Sequence, residues 1–293
     1  MTRNKRNKLT GLLLITPAFI ALVLLIFFPI AWSFYLSINA NNSVLSNNYN
    51  LVGIDNYKKV FTTSAFWHSM TNTLSFVVVT VSIEIVLGFI IANTLYKNLP
   101  GMKFFRTLTA TPLMMSSLAA GYIWKLIFAD NNGVLLAFLN FLKIKAPMWF
   151  VNSVAAKFMV LITSLWSSLP FVCLVFLAGM HSIPNIYYEA AIIDGASGWK
   201  RFRFITFPLM LNVMLSVVII RVSDSFKIMD TVFALTRGGP GNATRSITYW
   251  IYQRAYNDFR FGESTASSFI MLVIVAVSCL LLLHAFRFMK NDD

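Results

Sequence analysis

Apolar segments of about twenty residues recur along this chain, each long enough as a helix to cross a hydrocarbon core of about 30 Å. They run over approximately 12–36, 71–95, 108–128, 156–179, 207–228 and 266–288. A backbone in lipid must satisfy its own hydrogen bonds, and unbroken apolar segments of this length do so as helices. The expected fold is all-α, a polytopic membrane protein with six transmembrane helices. Composition agrees, because 57% of the 293 residues are hydrophobic and only 12% are charged, about half the charge of an ordinary soluble domain. The formal charge of +13 would suggest nucleic acid in a soluble protein. Here the basic residues flank apolar spans, and positive-inside topology accounts for them with no nucleic-acid partner.

Arg3, Lys5, Arg6 and Lys8 mark residues 1–11 as a basic cytoplasmic N-terminus, followed by a signal anchor too long for the core of a cleaved signal. Lys97, Lys103 and Arg106 follow the second span, Lys200, Arg201 and Arg203 follow the fourth, and Arg287 and Lys290 follow the sixth. Twelve of the 24 basic residues therefore fall in four short segments. Both termini are expected in the cytoplasm, with one transmembrane domain over 12–290 and a cytoplasmic loop over 180–206. Asn39–Ser69 is Asn-rich and should lie outside, as should Asp130–Ala155, whose Trp149 and Phe150 suit a membrane interface. Pro17 and Pro29 are expected to kink the first span. Glu84, near the middle of the second, would cost on the order of 2.5–3.5 kcal/mol to insert and is expected to face the protein interior or be neutral. Cys173 and Cys279 lie in apolar segments and read as small hydrophobic residues, and three scattered histidines offer no metal site.

The longest charged interruption between apolar segments runs from Ile183 to Pro208. Pro184 can open a helix, Asn185 can cap one, and Gly195 stands where a left-handed terminating residue belongs. The helix between them has two to three turns, a length that persists only when packed against something. Tyr187, Tyr188, Ala190, Ala191 and Ile192 place aromatic anchors beside small residues, so the stretch reads as a docking element.

Glu189-Ala190-Ala191, then Gly195, Ile205, Phe207 and Pro208 at fixed spacing resemble the cytoplasmic loop of permease subunits of bacterial ATP-driven (ABC) importers. Phe207 departs from that pattern by replacing Leu. The resemblance implies that the loop couples to a separate ATPase subunit through Tyr188, Glu189, Ala190, Ala191, Asp194, Gly195, Ile205 and Pro208. A second stretch, with Asp230, Leu235, Thr236, Gly238, Gly239, Pro240 and Thr244, is similar to the segment after the fifth core helix in sugar-importer permeases of the maltose and glycerol-phosphate type. Two glycines and a proline set a tight turn. The resemblance implies that Asp230, Thr236, Gly238, Gly239, Pro240 and Thr244 form an external rim meeting a binding protein.

Arg221, Asp224, Ser225 and Ile228 share one face of the fifth span, and Ser164, Ser168 and Phe171 one face of the fourth. Hydroxyls and aromatic rings suit a sugar, whose hydroxyl edges hydrogen-bond and whose C–H faces stack. These seven are the expected substrate path, with Arg221 and Asp224 also readable as an ion pair. No P-loop occurs, so the chain is not expected to be an enzyme or to bind a cofactor, and ATP and magnesium would be used by a partner ATPase pair. The expected function is a multi-pass subunit, in a bacterial cell membrane, of an importer for a mono- or oligosaccharide. Its expected partners are a second permease of similar layout, the ATPase pair, an extracellular sugar-binding protein and membrane lipid. Glycerol-phosphate or an acidic sugar is the alternative cargo, because Arg221 could face an anion. An ion-coupled secondary transporter working through Glu84, Arg221 and Asp224 is the rival from another class, and a membrane enzyme ranks last.

Overall fold

A computed structural model describes residues 3–40, 50–97 and 100–291. The Asn-rich core of the first outer segment, residues 41–49, and the side chains of the N-terminal basic cluster and of Lys290 lie outside the described residues. Among the described residues all regular structure is helical apart from one isolated bridge between Asn39 and Leu51. Five helices are long and apolar enough to cross a membrane: Leu13–Ser37, Ser64–Tyr96, Ser153–His181, Gly198–Ser225 and Phe261–Arg287. The chain is an all-helical polytopic membrane protein that divides into two compact units, one of Met1–Ser64 with Ile251–Leu272 and the other of Ala65–Trp250 with Val273–Asp293.

In the first unit, α1 (Arg3–Leu22) runs through a π-helical turn, Val23–Phe27, into α2 (Phe28–Ser37). Pro29 has no N–H for the carbonyl four residues back, and its ring crowds that carbonyl. The wider turn before it absorbs the conflict that the sequence leads one to expect as a kink. α3 (Asp55–Thr62) is tied to the end of α2 by Asn56, whose Nδ2 donates to the carbonyls of Ser37 at 2.9 Å and Asn39 at 2.8 Å. Gly262, on the first turn of the last helix (Phe261–Asn291), leaves room for that bridge. A Cβ there would stand 2.6 Å from the Asn39 carbonyl oxygen.

The second unit is built on α4 (Ser64–Tyr96). The expected third span is not one helix. It divides into α5 (Met102–Ala110), a 3₁₀ turn (Thr111–Met114) and α6 (Ser117–Ile127). Pro112 withdraws a backbone donor at the break, and Ser116 restarts the helix by accepting from the Ala119 N–H at 3.2 Å. α7 (Val134–Phe141) precedes α8 (Ser153–His181), whose N-terminus Asn152 caps through the N–H groups of Val154 and Ala155. After α9 (Asn185–Ile193), α10 (Gly198–Arg201) passes through a π turn, Phe202–Thr206, into α11 (Phe207–Ser225). The fifth apolar helix thus begins nine residues earlier than the Phe207 expected from hydropathy, and Pro208 again follows a π turn. α12 (Met229–Leu235) and α13 (Ile247–Tyr252) follow.

Small residues set the helix contacts, as they do where lipid offers no hydrophobic drive. A Cβ on Gly88 of α4 would meet Val172 Cγ1 of α8 at 2.7 Å, and one on Gly121 of α6 would meet Ala234 Cβ of α12 at 2.6 Å. Around the first contact a buried cluster forms from Ala92, Val172, Cys173, Phe176, Met180 and Met210. Both cysteines are free.

Candidate functional site

Glu84 is fully buried, and its carboxylate is met by Arg221 of α11, with Nε to Oε2 at 2.8 Å and Nη2 to Oε1 at 3.1 Å. The Ser168 hydroxyl of α8 donates to the same carboxylate. The sequence expectation pairs Arg221 with Asp224. That contact exists, at 3.7 Å from Nη1, but the carboxylate that takes the fork of the guanidinium is Glu84. A two-pronged arginine–carboxylate contact is the stronger geometry. Asp224 in turn accepts from Lys227 at 3.0 Å. All three guanidinium nitrogens of Arg221 therefore face carboxylates, and the four charges alternate in sign.

This network borders a cavity of about 470 Å³, a size ordinary for a small-molecule cleft. All seven expected path residues line it: Ser164, Ser168 and Phe171 from α8, Arg221, Asp224 and Ser225 from the end of α11, and Ile228 from the turn before α12. Phe76 and Thr80 of α4, Ser117 of α6, Ser167, and Asp230 and Thr231 of α12 complete most of the wall. Among the described residues the hydroxyls of Thr80, Ser164 and Ser225 are buried without a hydrogen-bond partner. A buried hydroxyl left unpaired costs about 1–3 kcal/mol, so three on one cavity offer bonds to water or to an incoming group. Thr80 and Thr231 escaped the sequence reading because no periodicity links them to α8 or α11. Glu84 was visible as an intramembrane carboxylate, but its partner lies 137 residues away.

The docking stretch folds as expected in outline. α9 ends in a Schellman arrangement, with the Ala196 N–H on the Ala191 carbonyl at 2.8 Å, the Gly195 N–H on that of Ile192 at 3.0 Å, and Gly195 at φ +70°. Pro184 precedes the helix, while Asn185 is its first residue and provides no side-chain cap. Glu189, Ala190, Asp194 and Gly195 are exposed, Ala191 is buried and Ile205 is half-buried. Ile186, Tyr187, Ile192 and Ile193 present apolar surface, Ile193 at 86% exposure. The Tyr188 hydroxyl lies 2.9 Å from Thr206 Oγ1, which ties α9 to the helix that begins at Gly198, two residues before Lys200 and ten before Pro208. Of the expected rim residues, Thr236, Gly238, Gly239, Pro240 and Thr244 close one tight loop. Thr244 is fully buried, its hydroxyl donates to the Gly239 carbonyl at 2.7 Å, and the Thr236 hydroxyl lies 2.7 Å away. Asp230 instead lines the cavity.

Comparison with known proteins places this geometry. The family model described as "Binding-protein-dependent transport system inner membrane component" matches residues 84–290. The trehalose/maltose transport system permease protein MalF of Thermococcus litoralis is 32% identical over 286 residues, covering 98% of this chain and 96% of that one. The sn-glycerol-3-phosphate transport system permease protein UgpA of Agrobacterium fabrum is 30% identical over 289 residues, covering 97% and 96%. A solved bacterial alginate ABC transporter, in complex with an alginate pentasaccharide-bound periplasmic protein, contains a chain of the same fold, at TM-score 0.83 and 19% identity over 97% of this chain and 96% of that chain. The cavity, α9 and the loop from Thr236 to Thr244 are thus carried on a multi-pass inner-membrane scaffold, and the chain belongs to the permease family of binding-protein-dependent ABC importers.

Proposed function

We propose that this chain carries an uncharged mono- or oligosaccharide through the 470 Å³ cavity, delivered from outside by a sugar-binding protein and driven by ATP hydrolysed, with magnesium, in a partner ATPase pair. The observation that carries this reading is the meeting of three unpartnered hydroxyls with the Phe76 and Phe171 rings in a cavity where Arg221 and Lys227 already face the carboxylates of Glu84 and Asp224 and Asp230 adds a further carboxylate. A sugar supplies hydroxyls to the first and C–H faces to the second. The name of the trehalose/maltose relative supports a carbohydrate, while that of the glycerol-phosphate relative keeps an anionic cargo in view. The anionic reading needs a cation with spare donors, and Glu84 occupies the guanidinium fork of Arg221, which leaves the Lys227 ammonium, itself paired with Asp224, beside the carboxylate of Asp230.

The proposed layout is six spans within one permease domain over 12–290, the third broken at Pro112, with both termini and the coupling loop 180–206 in the cytoplasm. A second permease of similar layout completes the path, and lipid covers the outer faces. The exposed apolar side of α9 seats on the ATPase. Its Tyr188–Thr206 link passes movement to α11, which carries Arg221 and Ser225, so that closure of the ATPases switches the cavity between inward and outward access. Cargo favours one state only through a difference in affinity. The test is uptake by the assembled importer in proteoliposomes from a panel of neutral saccharides, uronic-acid oligomers and glycerol-phosphate. A neutral saccharide should be the one moved. Uptake confined to the anionic members would overturn the assignment.

A further inference from the structure

A second recess in the same unit, of about 840 Å³, lies where α4 ends beside α8, α9, α10 and the π turn before α11. It is not a continuation of the first cavity. The two linings share no residue, and α4 contributes Phe76 and Thr80 to the first but Phe89, Ile90, Asn93 and Lys97 to the second. The recess has an apolar aromatic floor in which Phe89 meets Phe202 edge-on at 5.5 Å and Trp199 lies 5.2 Å from Phe202. Its charged lining is Lys97 and Arg201, with no carboxylate among the lining residues. Trp199 is 68% exposed, an unfavourable state in water and a common one where an indole sits between hydrocarbon and headgroups.

We propose that this recess binds an anionic phospholipid, its phosphate paired with Lys97 and Arg201 and an acyl chain laid along Phe89, Ile90 and Trp199. Basic pockets at the cytoplasmic ends of spans suit such headgroups, and a free phosphate would leave the aromatic floor unused. Asn185 and Tyr188 of α9 also line the recess, so a bound lipid braces the helix assigned to ATPase docking. The sidedness rests on the topology proposed above.

The test uses the complete importer in nanodiscs of phosphatidylcholine with and without phosphatidylglycerol. A diazirine-bearing phosphatidylglycerol should label peptides containing Phe89–Lys97 and Gly198–Thr206 in the wild type. Lys97→Gln with Arg201→Gln should weaken phosphatidylglycerol retention, read by native mass spectrometry, by about 25-fold, near fivefold for each cation lost. Lys103→Gln, outside the recess, should leave it unchanged. Labelling elsewhere, or retention unaffected by the paired substitution, overturns the proposal. Displacement of the lipid by millimolar inorganic phosphate would overturn it in favour of a free-anion site. Labelling is read without ATP or sugar, so loss of sugar-stimulated hydrolysis alone would count against the transport reading and not against the lipid site.

Discussion

Removal of Glu84 should be among the most damaging single changes in the unit built on α4. Glu84 is fully buried, and the Arg221 side chain is only 11% exposed. Burying two ions costs several kcal/mol each, which their contact repays only while both are present. Glu84→Ala would strand the guanidinium beside Asp224, at 3.7 Å, and leave the Ser168 hydroxyl without its acceptor. Breaking a buried pair on one side costs about 3–5 kcal/mol. Replacing both, as Glu84→Leu with Arg221→Met, should recover most of that loss, since packed apolar residues of similar volume often substitute neutrally. The assay is equilibrium unfolding of the purified subunit in mixed micelles, with Glu84→Leu, Arg221→Met and their combination run as a double-mutant cycle beside Glu84→Ala. A coupling energy of about 2 kcal/mol or more between the two positions is expected. Additive effects, or a Glu84→Ala cost under about 1 kcal/mol, would refute a buried pair and with it the argument that Arg221 is unavailable to an anionic cargo.

Thr80→Val and Ser225→Ala remove hydroxyls that bond to nothing in the described structure. Stability should hold or rise slightly, while the apparent affinity for sugar in uptake assays falls about fivefold, one neutral hydrogen bond each; unchanged uptake would remove them from the path. Gly262→Ala should cost about 1–3 kcal/mol in thermal unfolding, because the obstructing atom at 2.6 Å is a backbone oxygen. Gly195→Ala meets no neighbour within 4 Å, so its cost should be only the roughly 1 kcal/mol of holding φ at +70°. Tyr188→Phe should leave assembly intact and lower sugar stimulation of ATP hydrolysis relative to the basal rate, and an unchanged ratio would sever the proposed link to Thr206.

What could be read in advance divides by the range of the interaction. The positions of five of the six apolar segments, the left-handed end at Gly195 and the shared faces of Ser164, Ser168 and Phe171 or Arg221, Asp224 and Ser225 are local matters of periodicity and backbone preference, and the structure has them. The break at Pro112 was a choice between kink and interruption that apolar composition does not make. The fifth helix begins at Gly198 because the polar residues of its first turns can be helical outside hydrocarbon, where hydropathy is blind. The Glu84–Arg221 contact was missed because the i, i+3 spacing of Asp224 offered a nearer partner, and only folding brings α4 against α11. The joining of Thr80, Ser164 and Ser225 at one cavity has the same origin.

In the proposed scheme ATP, acting through α9, moves sugar through this subunit. The most direct measurement is ATP hydrolysis and sugar uptake by the importer reconstituted with its binding protein, comparing wild type with Gly195→Pro, which alters the Schellman end of the docking helix. Sugar-loaded binding protein should raise hydrolysis, uptake should require ATP, and Gly195→Pro should abolish both effects while the subunits still co-purify. Uptake that follows an ion gradient and ignores ATP would contradict the account and shift its centre to Glu84, Arg221 and Asp224.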